Sequence, residues 1–149
     1  MHAYTLMLAG FRRHVRVLAA LVLALAVVST ASAAGSLYKG KVKAGGTLSF
    51  RTTATSVVGF KASPTVPCNS YATGSSFLEV HYLPLQTKTP LKNGHFKITY
   101  KGPFSTHVTV TGTVKGASAS GTLDLGYTKT SGTAIYACQC KSTWTAKKA

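Results

Sequence analysis

From residue 36 to the C-terminal lysines, one pattern repeats. Short runs rich in Val, Thr, Tyr, Phe and Leu alternate apolar with polar and are broken by Gly, Pro or Asn. The breaks fall about every eight to twelve residues, and no stretch carries the apolar period of an amphipathic helix. A strand sends successive side chains to opposite faces, so such runs bury one face and wet the other. The chain is therefore predicted to be all-β: an antiparallel β-sandwich or partly closed barrel of about seven to nine strands, after an N-terminal signal helix.

One hairpin can be registered residue by residue. In Thr106 to Tyr127, a turn at Gly116-Ala117 sets Lys115 opposite Ser118. Val114 then meets Ala119, Val110 meets Leu123 and Val108 meets Leu125 on the inner face, while Thr109, Thr111 and Thr113 meet Asp124, Thr122 and Ser120 outside. A slip of one residue would turn every one of these side chains over. The same register opposes Gly112 and Gly121, which leaves a gap in the side-chain layer for a bend or a close approach. A first hairpin, Leu37 to Thr53, is predicted around a loop Ala44-Gly45-Gly46, with Tyr38, Gly40 and Val42 opposite Thr52, Phe50 and Leu48. Asn93-Gly94 marks another turn, with Pro90 cutting the preceding strand short. Further strands are expected at Val57–Ala62, Phe77–Leu83 and Thr133–Ala146, and Ser63–Ser76, with Pro64 and Pro67, reads as a long loop.

Residues 1–33 read as a secretory signal. Arg12, Arg13 and Arg16 form a basic n-region, Leu18–Val28 is an apolar run, and Ala31-Ser32-Ala33 supplies a small-residue cleavage site. The run is well short of the roughly 20 residues that cross a bilayer. Arg12-Arg13 leaves both the general and the twin-arginine route open. Cleavage after Ala33 would leave residues 34–149 as a single extracytoplasmic domain with no transmembrane span.

That mature segment of 116 residues holds 14 Lys and Arg against Glu79 and Asp124 alone, a formal charge of +12. Such a field attracts anionic polymers, including acidic polysaccharides and other envelope components. The basic residues run from Lys39 to Lys148 without a cluster. A specific nucleic-acid site would need them interleaved with stacking rings on one surface, and several tyrosines fall at inward positions, so none is predicted.

Acid–base chemistry is thinly supplied. Glu79 and Asp124 could in principle flank a glycosidic bond, but Asp124 falls on the polar face of its hairpin and Glu79 opposite Leu78, Val80 and Tyr82, where surface ion pairs suit both. No Gly-x-Ser-x-Gly elbow occurs. The residues favour a non-catalytic binding domain and assign no catalytic residue, cofactor or metal. The rivals are a small secreted hydrolase using Glu79, His81 or Asp124, and an inhibitor acting through the Ser63–Ser76 loop.

All three cysteines, Cys68, Cys138 and Cys140, follow the signal, and an oxidising compartment favours a disulfide. Cys138 and Cys140 stand two apart on one strand, about 6.6 Å between Cα atoms and near the outer limit for bridging. Cys68 is therefore expected to pair with one of them, leaving the third thiol over. A metal site at Cys138-Gln139-Cys140 would need thiolates kept reduced. Trp144 shares the strand side of Cys138 and Cys140 and is expected in the core, against the disulfide.

The chain resembles small secreted β-domain proteins of soil actinobacteria. The likeness lies in Tyr38-Lys39-Gly40-Lys41 before Leu48-Ser49-Phe50, in Asn93-Gly94-His95-Phe96, and in Gly112 with Gly116–Leu123. It continues in a late Cys before Trp144-Thr145-Ala146-Lys147. It spans nearly all of residues 36 to 148 and implies no activity. Such domains carry one middle and one late Cys, which implies that Cys68 pairs with Cys138, with Cys140 as the alternative partner.

Overall fold

The computed structural model describes residues 35–149, apart from the side chains of Gln86 and Thr87; the expected signal segment and its helix lie outside the described residues. Nine strands follow one another: β1 Ser36–Val42, β2 Gly46–Thr52, β3 Ser56–Ser70, β4 Ser76–Val80, β5 Leu83–Pro90, β6 His95–Lys101, β7 His107–Lys115, β8 Ser118–Ser131 and β9 Ala134–Lys148. Every pairing is antiparallel, in the order β4-β3-β2-β1-β9-β8-β7-β6, with β5 on β3. The end of β3 also pairs with β9, Cys68 opposite Cys138 and Ser70 opposite Tyr136. That contact closes the sheet on itself through β9, β1, β2 and β3. The architecture is all-β with a small closed barrel core.

The β7–β8 hairpin has the predicted register at every rung, from Lys115–Ser118 to Val108–Leu125. Val108, Val110, Leu123 and Leu125 are buried, and Val114 is half-buried near the turn. Gly112 lies opposite Gly121, and rings fill the gap: a Cβ on either glycine would come within 2.7 Å of Trp144 Cζ2. Trp144 is buried and donates its Nε1–H to the Thr122 carbonyl at 3.2 Å. Around it pack Phe50, Phe96 and Phe60, at 5.8, 6.1 and 6.3 Å between ring centroids. Its expected seat on the disulfide is thus corrected. Six strand residues separate it from Cys138, about 20 Å, and the core is an aromatic cluster instead.

Two further expectations change. The first hairpin pairs Tyr38 with Phe50 and Gly40 with Leu48, two residues away from the predicted register, around a loop Lys43-Ala44-Gly45. The loop is held from outside the hairpin: Lys43 N–H donates to the Thr143 carbonyl and Ala44 N–H to Ser142 Oγ. A slip of two preserves the inward face, so Tyr38, Val42, Leu48 and Phe50 are still buried.

Ser63–Ser76 is not a long loop. Strand β3 runs unbroken to Ser70, and Phe60, Ala62, Pro64, Val66, Cys68 and Ser70 all face inward. Pro64 stands where β3 changes partners, and Pro67 lies within the pairing to the edge strand β4, opposite Leu78. Pairing with β2 ends at Pro64, pairing with β4 spans Thr65 to Asn69, and pairing with β9 begins at Cys68. A missing N–H disturbs a ladder least at such a hand-over. The expected strand Phe77–Leu83 splits into β4 and β5 at His81-Tyr82.

Candidate functional site

Sheet order gathers lysines that are remote in sequence. Lys61 on β3 pairs with Ser49 on β2, which pairs with Lys39 on β1. Lys39 pairs with Lys147 on β9, Lys147 with Ser118 on β8, and Ser118 with Lys115 on β7. Four exposed ammonium groups therefore stand in one row across six strands, about 24 Å at the usual strand spacing. The next outward row carries Thr47, Lys41, Thr145, Ser120, Thr113 and His95. Thr113 Oγ1 and His95 Nδ1 are hydrogen-bonded at 2.9 Å, and in the row beyond, Thr111 and Thr122 share a hydroxyl hydrogen bond of 2.7 Å. Between the rows lies an open groove of about 740 Å³ lined by Lys39, Lys41, Lys115, Lys147 and His95 among hydroxyls.

Lys39 and Lys147 oppose each other directly, an arrangement that destabilises a sheet. No side-chain carboxylate relieves them. The chain has two acidic side chains, and both are engaged elsewhere: Asp124 with its cross-strand partner Lys141 at 3.5 Å, and Glu79 with Lys129.

The second region is the mouth of the barrel on the β4–β8 side. Glu79 points inward from β4, with a side chain 19% exposed, while Leu78 and Val80 face solvent. Tyr127 Oη donates to Glu79 Oε1, and Lys129 Nζ donates to Oε2. Burial alone would raise the Glu79 carboxyl; the hydrogen bonds from Lys129 and Tyr127 and the charges of Lys129 and His81 outweigh it and hold the group below the ordinary carboxylate range. Burial lowers His81, opposed by the Glu79 charge and assisted by that of Lys129, which favours the uncharged ring. That ring lies 4.3 Å from the Tyr127 ring, whose phenol is pushed well up by burial and by the Glu79 carboxylate. Both Glu79 oxygens are occupied and the acid is ionised, which makes it neither a proton donor nor a free base.

The structure brings Glu79 and His81 together but leaves Asp124 on the outer face of β8, across the sheet from Glu79. Cys68 and Cys138 are joined as a disulfide and both are fully buried, with Cys140 a buried free thiol. Their sulfurs lie close to Glu79, but the bond between them removes them as metal ligands. The lysine row was hidden in the sequence because its members are joined only by non-local pairing. Comparisons with protein families, with curated proteins and with solved structures find nothing similar to this chain.

Proposed function

We propose that the domain is exported and, cleaved after Ala33, acts as a non-catalytic binding module that holds an anionic polymer of the envelope or extracellular matrix on its lysine and hydroxyl face. One observation carries the reading: Lys39 and Lys147 face each other with Lys61 and Lys115 in the same row, and both acids of the chain are tied up elsewhere. A sheet keeps such a pair at a cost in stability, and a polyanion laid across the strands removes that cost. Hydroxyls between the ammonium groups supply hydrogen bonds to sulfate, phosphate or carboxylate oxygens. The engaged, ionised Glu79 supports binding over acid–base chemistry.

The test is retention of the mature protein on heparin or isolated wall polymer as a function of salt. Retention should fall steeply as salt rises, because exposed charges are screened. Lys39→Ala with Lys147→Ala should elute at lower salt and yet unfold at higher urea, by about 0.5 kcal/mol, because the opposed charges are gone. Elution identical to wild type would refute the row as the binding face.

A further inference from the structure

The lysine face leaves unexplained a set of exposed rings at the mouth of the barrel. Tyr82 is 59% exposed, Tyr100 45% and Phe104 77%. They border two adjoining hollows of about 430 and 490 Å³ that share His81 and Thr106. Each lies within the range of small-ligand sites. Tyr82 and Tyr100 flank the first, and Phe104 flanks the second beside Tyr127 and the Glu79–Lys129 pair.

These rings are held in place rather than left loose. Phe104 and Ser105 have φ of 54° and 56°, a left-handed conformation that side-chain-bearing residues enter at a cost. The surrounding loop fixes it: Gly102 N–H donates to the Thr106 carbonyl at 2.8 Å and Thr106 N–H to the Pro103 carbonyl at 3.0 Å. Both the N–H and the hydroxyl of Thr128 donate to the Phe104 carbonyl, at 3.0 and 2.8 Å. Tyr100 lies over Gly102, where a Cβ would come 2.8 Å from its ring. The loop thus bears backbone strain in order to hold an apolar ring in water. Strain of that kind gathers at binding sites.

We infer that this aromatic cleft is a second binding site, for a neutral pyranose glycan. A sugar ring is apolar on its C–H face and hydroxylated at its rim. The cleft presents flat rings next to the hydroxyls of Thr106, Thr128 and Thr130. Its charge complements a neutral ligand. Glu79 and Lys129 neutralise each other and burial disfavours the charged form of His81, so this patch is close to neutral on a segment, residues 34–149, of formal charge +12. A polyanion has no reason to settle here, and the site differs from the lysine row in chemistry; of its rings, Tyr82 also borders the hollow beside Lys39 and Lys61, whereas Tyr100 and Phe104 do not.

The experiment is an NMR titration of the mature protein with cellotetraose and with the N-acetylglucosamine tetramer, followed at backbone and aromatic resonances. At least one sugar should give saturable shifts at Tyr82, Tyr100 and Phe104, unchanged by salt that releases the protein from heparin. Phe104→Ala and Tyr82→Ala should each weaken binding about tenfold, since each removes one stacking surface. Heparin retention should be unaltered in Phe104→Ala, whose ring borders no lysine of the row, which separates failure of this site from failure of the lysine face. If Phe104→Ala disturbs its strained loop, Tyr82→Ala, outside that loop, still decides. Absence of shifts with both sugars would overturn the inference. So would shifts confined to the lysine rows, or a proline-rich peptide titrating the cleft while the sugars do not.

Discussion

Replacing Cys68 and Cys138 together by Ala, in a Cys140→Ala background that prevents thiol exchange, tests how the barrel is closed. The two cysteines are 70 residues apart in sequence and meet as cross-strand partners of β3 and β9. A cross-link closing a loop of that length removes denatured-state entropy worth about 4 kcal/mol in the chain-entropy model. Both side chains are fully buried, so trimming them to Ala adds a small cavity cost on the order of 1 kcal/mol. For a domain of this size the loss corresponds to a fall in melting temperature on the order of 15 °C. Urea unfolding with fluorescence of the buried Trp144 reads the same quantity and gives a second signature. The cross-linked unfolded chain is compact, so the m-value should rise when the link is removed. A loss below about 1 kcal/mol with an unchanged m-value would refute the argument. It would mean that the β3–β9 ladder is held by packing alone.

Three other outcomes follow from single side chains and can be read by similar means. Gly121→Ala should cost about 3 kcal/mol, because its Cβ would be driven onto backbone and the Trp144 ring; Gly116→Ala, at φ 58° in open space, should cost only about 1 kcal/mol in urea midpoints. Glu79→Gln should be less stable than wild type near neutral pH, where the ionised carboxylate holds Lys129 and Tyr127. Its folded pKa is depressed, so this advantage is complete above the ordinary value of 4.5 and disappears as pH falls through the lower folded value; parallel acid unfolding curves for the two proteins would contradict it. Cys140 should resist alkylation in the native state, because burial, with help from the Asp124 charge, raises its thiol pKa, and rapid labelling without unfolding would count against the buried inner-face position.

What the sequence disclosed depended on the distance over which each interaction acts. The β7–β8 register was legible down to the facing glycines because both strands and their turn lie within one short segment, and period-two alternation admits a single pairing. The first hairpin gave its inward face but not its register. The hydrogen bonds that position its loop come from Ser142 and Thr143, about a hundred residues away. In β3 the alternation continued through Pro64 and Pro67, yet prolines ordinarily end a strand; here Pro64 falls at a change of partners and Pro67 pairs with the edge strand β4. On β4 the two faces were separated correctly, but which one turned inward was decided by Tyr127 and Lys129 waiting on β8. The aromatic cleft had no local signal at all. Tyr100 continues the inward alternation of Phe96 and Ile98, yet on the edge strand β6 its ring is 45% exposed although its partner Val108 is buried.

The placement of the two acids bears on whether the charge is purposeful. A basic chain with only two carboxylates could set them beside its most crowded lysines and relieve them. This chain does otherwise. Asp124 faces Lys141 as a cross-strand pair on β8 and β9, some six residues along β9 from Lys147. Glu79 turns inward to tie β4, a five-residue strand at the edge of the sheet, to Tyr127 and Lys129 of β8. That tie crosses between strands that are not ladder neighbours, so hydrogen bonding within the sheet does not replace it. Both acids thus fasten strands at the level of the mouth and the middle of the barrel. The rows around Lys39, Lys41, Lys115 and Lys147 are left with hydroxyls as their only polar neighbours within the groove apart from His95. Repulsion between Lys39 and Lys147 could be removed by substituting Lys147 with Thr, the residue that already stands two places away on the same face of β9, at Thr145. A surface that was basic only for solubility would gain stability from that change and lose nothing, whereas a surface that grips a polyanion would lose its central contact.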